Sequence, residues 1–123
     1  RARAIMDIIR KWLREDIGVP IEDGQDMGML FANGVAFARI LHHYGLQPDL
    51  AEFTSGHSPE VQRRNFQRLH ATFLSLNIPF GPRLAHQIMT QEPGAAEAVV
   101  HRLKVALAPA PHPLDAAAGG LGG

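Results

Sequence analysis

Seven histidines are spread along the 123-residue chain, and imidazole is a frequent metal ligand and proton carrier near neutral pH. Their spacing argues against both uses. His42 and His43 are neighbours, and on a helix neighbours project about 100° apart, a poor geometry for joint ligation. His70, His86 and His101 fall on separate candidate helices, no His-Glu-x-x-His pair occurs, and there is no cysteine to complete a site. No metal or other cofactor is therefore expected, and His86, inside a short and mostly apolar segment, is expected to pack or to cap. Nucleophilic chemistry fares no better, because Gly-x-Ser-x-Gly is absent. Ser58 precedes a proline, as a helix cap would. Thr54-Ser55 is close to His57 only in sequence. Glu22-Asp23 and Asp26 read as a solvated acidic loop, with nothing apolar nearby to raise a carboxylate pKa. No glycine-rich phosphate loop with lysine is present. An enzyme would have to use histidines and carboxylates in an unrecognised arrangement, so the chain is expected to be non-catalytic.

Two groups of cations remain. Arg10, Lys11 and Arg14 lie on the first candidate helix. Arg63, Arg64 and Arg68 lie on the third, with Arg64 and Arg68 one turn apart. Either group could dock on an acidic partner surface, and either could be a plain solvated helix face. The whole chain is balanced, with twelve basic and twelve acidic residues, so it lacks the basic excess of a nucleic-acid binder. No apolar run approaches the roughly 18–20 residues of a membrane span, and the first residues carry no apolar signal core. The chain starts at Arg1 rather than Met and reads as a segment of a longer protein, or as one trimmed at its start.

The elements that must carry these side chains are helical. Ile5, Ile8, Ile9, Trp12 and Leu13 recur at helical spacing over Ala4–Asp16 and predict one apolar stripe, stopped by Gly18-Val19-Pro20. Asp26 caps a turn or two through Phe31, where Met27 and Met29 either fill gaps beneath the next helix or offer an adaptable contact surface. Val35–Tyr44 is apolar nearly all round and is expected to be buried, with Gly45 as its stop. Ser58-Pro59 starts a third long helix to about Leu76, with Val61, Phe66, Leu69, Phe73 and Leu76 inward and Asn77 at the exit. A short helix over Arg83–Met89 and a last one over Gly94–Ala108, with Val99, Val100, Leu103, Val105 and Leu107 apolar, complete the pattern. No strand is convincing. The fold class is thus an all-α bundle of four main helices plus short connecting ones over residues 4–108. Residues 109–123 form a Pro/Ala/Gly-rich linker or tail.

Three phrases give this bundle a resemblance. Ile8-Ile9-Arg10-Lys11-Trp12-Leu13, Leu30-Phe31-Ala32-Asn33-Gly34-Val35 and Arg64-Asn65-Phe66-Gln67-Arg68-Leu69 resemble successive helices of a calponin-homology domain. Leu76-Asn77-Ile78-Pro79-Phe80, Leu84-Ala85-His86-Gln87-Ile88-Met89-Thr90 and Glu92-Pro93-Gly94 are similar to the variant form in the sperm flagellar protein family. The chain departs at Asn33, where many relatives have Asp or Ser, and as a helix start either residue is expected to serve. The resemblance implies a cytoskeletal interaction module of the cilium or flagellum axoneme. It would be associated with central-pair microtubules and their projection proteins, through contacts at the six cations named above. F-actin is the alternative partner. It ranks second because actin-binding relatives usually act as tandem pairs, whereas here one domain is followed by a linker.

Overall fold

The computed structural model of the chain describes residues 2–22 and 24–108, so the expected tail and Asp23 lie outside the described residues. Six α-helices follow in order: α1 (Ala2–Lys11), α2 (Met27–Phe31), α3 (Val35–His43), α4 (Pro59–Ser75), α5 (Pro82–Met89) and α6 (Ala95–Leu107). There is no strand among the described residues, and the all-α expectation holds. Helix α3 lies innermost, packed on α2, on α4 and on the turn that extends α1, while α6 closes the other side against α1, α2 and α5.

Local chemistry accounts for most of the boundaries. Asp26 accepts the Gly28 N–H at 3.1 Å and starts α2. The Ser58 hydroxyl accepts the Val61 N–H at 3.2 Å, with Pro59 at the first helical position, where its missing donor costs nothing. At the far end of α4, Asn77 takes a left-handed conformation (φ 59°). The Ile78 N–H then reaches back to the Phe73 carbonyl at 3.0 Å and the Asn77 N–H to Leu74 at 3.0 Å, the paired bonds of a Schellman stop. Gly45 ends α3 in the same way, with Leu46 bonded to Leu41.

The first helix differs from the single α-helix expected over Ala4–Asp16. After Lys11 it widens into a π-helical turn over Trp12–Ile17, and both the Gly18 and Val19 N–H groups return to the Leu13 carbonyl, at 2.9 and 2.8 Å. The wide turn lets Trp12, Leu13 and Val19 all reach the core. The Trp12 indole N–H donates to the Tyr44 hydroxyl at 3.3 Å, so its polar atom is satisfied as burial requires.

The core is a run of aromatic contacts. Phe37 on α3 meets Phe31 at 4.5 Å, Phe73 at 5.6 Å and Phe66 at 6.3 Å between ring centroids, and Phe80 stacks on Phe73 at 4.5 Å. Three expected core positions turn outward instead. Ile5 and Ile8 are exposed: Ile8, next to Ile9, projects about 100° away from it, while Ile5 shares the Ile9 arc but stands one turn nearer the start of α1. Val105 is exposed because it follows Leu103 by two residues, about 200° round the helix. The two methionines divide: Met27 is buried and Met29 faces solvent.

Candidate functional site

Asn65 organises the surface. It is the only polar residue of α4 held to 1% exposure. Its amide donates to the Asn33 carbonyl at 2.8 Å and the Thr54 carbonyl at 2.7 Å, and its oxygen accepts the Thr54 N–H at 3.2 Å. Asn33 answers from the start of α3: its oxygen accepts the Val35 N–H at 3.1 Å and its amide donates to the Ser55 carbonyl at 3.0 Å. An Asp or Ser at position 33 could accept from Val35, as a helix start requires, while the bond to the Ser55 carbonyl also needs a donor, which an Asp carboxylate lacks. Thr54 and Ser55, weighed earlier beside His57, are tied down here through their backbones.

A second polar node fixes the loop between α3 and α4. Gln47 is buried. Its amide donates to Asp49 Oδ1 at 2.7 Å and its oxygen accepts the Thr72 hydroxyl at 2.6 Å. Arg68 sits beside it, with Nη1 3.1 Å from Asp49 Oδ2 and Nη2 2.9 Å from Glu52 Oε2. The Gln47 hydrogen bond, chiefly, and the Arg68 guanidinium hold the Asp49 carboxyl below its ordinary pKa, against a smaller opposing push from burial.

The six predicted cations therefore meet different fates. Arg68 belongs to the loop node. Arg64 is exposed and pairs with Glu60 one turn before it at 3.2 Å, a solvent-facing contact of small energetic weight. Arg10 donates to the Gln25 carbonyl at 2.6 Å and anchors the segment before α2. Lys11 and Arg14 stand exposed around a shallow depression that they share with Arg10, Asp7 and Glu15, so the first cluster is a mixed-charge face. Arg63 is exposed and reaches a different feature, a groove of about 740 Å³ between α4 and α5. The groove has Phe66 and Phe80 among its lining residues, their rings stacked at 5.8 Å. His86 is exposed on its wall rather than packed or capping, because the inward arc of α5 is taken by Ile88.

Periodicity could not announce the groove, nor the roles of Gln47 and Thr72. One signal was present for the asparagine: Asn65 falls on the same α4 arc as Val61 and Leu69, so a polar residue stood at a core position. Among the described residues no cluster of three metal-ligating side chains occurs, and no helix is long and apolar enough to cross a membrane.

The sequence has relatives among known proteins. The family described as a CH-like domain in sperm protein matches residues 9–105. Sperm flagellar protein 2 of Sus scrofa is 31% identical over 102 residues, and the proteins of that name from Mus musculus and Homo sapiens are 30% and 29% identical over the same length. Each alignment covers 82% of this chain and 6% of the relative, so the chain spans a small part of the length of those proteins. No solved structure matches the chain.

Proposed function

The chain belongs to the family of CH-like domains in sperm protein, and from that premise we propose that it is a non-catalytic structural module of a flagellar protein. In this reading it anchors a longer protein within the axoneme, at the central-pair apparatus. It does so by docking on microtubules or on neighbouring projection proteins, and so supports ciliary motility. The observation that carries the reading is the match along residues 9–105, together with relatives named as sperm flagellar proteins.

The placement of the cations supports a division of labour. Lys11, Arg14, Arg63 and Arg64 are exposed on helix faces and are the contacts proposed for an acidic partner surface. Arg10 and Arg68 act through the segments they hold in place, the stretch before α2 and the loop before α4. Cosedimentation of the chain with microtubules at low and raised salt tests the proposal, with F-actin in parallel. Salt-sensitive retention on microtubules is expected, and charge reversal at Lys11, Arg14 and Arg63 should abolish it. Binding that survives the triple reversal would remove the basic-contact mechanism, and preferential retention on F-actin would remove the microtubule.

A further inference from the structure

The groove between α4 and α5 has the composition of a binding site. Its Phe66 and Phe80 are core residues, 3% and 5% exposed. Ala85 and Met89 of α5 add apolar lining, and Arg63, His70 and His86 supply the polar groups. Among the described residues no carboxylate lines it. Its charge is also uncommitted. Arg64 and Arg68, on the same helix, are paired with Glu60 and with Asp49 and Glu52. Arg63 has no such pair among the described residues. A volume of about 740 Å³ lies within the range of about 300–1,000 Å³ typical of ligand sites.

We propose that this groove docks an acidic, amphipathic helical segment of a protein partner. Apolar side chains at i, i+3, i+4 and i+7 would lie along Phe66, Phe80 and Met89, and Asp or Glu beside them would meet Arg63, His70 and His86. Charge complementarity selects the acidic partner: a basic helix would set like charges against Arg63 with no carboxylate to receive them. Helix-in-groove is the mode available because both walls are helical, and no strand edge exists among the described residues to accept an added strand. This inference does not rest on the flagellar reading; it shares Arg63 with the contacts proposed there, but the groove is a different surface from the α1 face.

The test uses the full 123-residue chain and a labelled synthetic helix of about 16 residues, built from Leu at i, i+3, i+4 and i+7 with Glu and Ala elsewhere. Its Glu→Lys counterpart and an all-Glu peptide are the controls. Saturable binding of the Leu/Glu helix is expected, about tenfold weaker for the Lys version and for Arg63→Glu. Amide shift changes should gather on α4 and α5. Ala85→Arg should block binding, and Arg63→Glu, on an exposed residue, keeps the test independent of folding. Any of four results would overturn the proposal: no saturable binding, equal binding of the Lys or all-Glu peptide, shift changes gathered on α1 instead, or groove shifts on removal of residues 109–123, which would assign the groove to this chain's own tail.

Discussion

The side chain of Asn65 donates to the carbonyl of Asn33, 32 positions earlier, at 2.8 Å. The same side chain makes two more bonds to Thr54, so one buried amide joins α4, the start of α3 and the segment that leads into α4. Its removal would leave the buried Asn33 carbonyl, and the part-buried Thr54 carbonyl and N–H, short of partners. Asn65→Ala is expected to cost about 2–3 kcal/mol, read from urea unfolding. Asn65→Asp should do no better at neutral pH, because a carboxylate has no hydrogen to give to the two carbonyls.

Gly34, next to that corner, carries two constraints. Its φ is 84°, and an added Cβ would lie 3.3 Å from Leu69 Cδ1 and 3.5 Å from Asn65 Cβ. The left-handed conformation alone costs a side chain about 1–2 kcal/mol, and crowding adds to it. Gly45 isolates the first part, since its φ is 74° and nothing lies within 4 Å of its added Cβ. Gly34→Ala should therefore lose about 1 kcal/mol more than Gly45→Ala in parallel denaturant titrations.

The helices were legible in the sequence because they rest on short-range rules: Ser58-Pro59, Gly45 and Asn77 act within a few residues of themselves. The buried α3 was equally plain, since its apolar residues leave little polar face, and only Val35, Arg39, His42 and His43 are not buried. The π turn was not, because it depends on how Trp12, Leu13 and Val19 fit a core made by distant helices. The site was less readable for the same reason. Arg63, Arg64 and Arg68 look alike in one dimension, and only the fold gives Arg68 two carboxylates from another loop, Arg64 a neighbour on its own helix, and Arg63 an apolar groove.

The loop node gives acid sensitivity a definite sign. Asp49 has its pKa lowered in the folded chain, so the unfolded chain takes up that proton first as the pH falls. The stability contributed by this carboxylate is present in full above its ordinary value of 3.8 and is lost as the pH drops from there through the lowered folded value. Asp49→Asn should reduce stability at pH 7 and flatten the loss as the pH falls below about 4. Thermal unfolding followed by circular dichroism across that range reads both effects.

Charge reversal at Arg68 and at Lys11 should separate holding from docking. Arg68→Glu would set a third carboxylate beside Asp49 and Glu52, where two pairs at 3.1 and 2.9 Å now stand. These groups are partly exposed, so the loss is modest, about 1–2 kcal/mol once solvent screening is counted. For a domain of this size that corresponds to a fall in Tm of roughly 5–10 °C. Lys11 is exposed on α1, and Lys11→Glu should leave Tm within about 2 °C while reducing retention on microtubules. A well-folded Arg68→Glu protein with unchanged Tm and lost retention would instead make Arg68 a contact residue, because a group that only holds its own loop must show its loss in stability first.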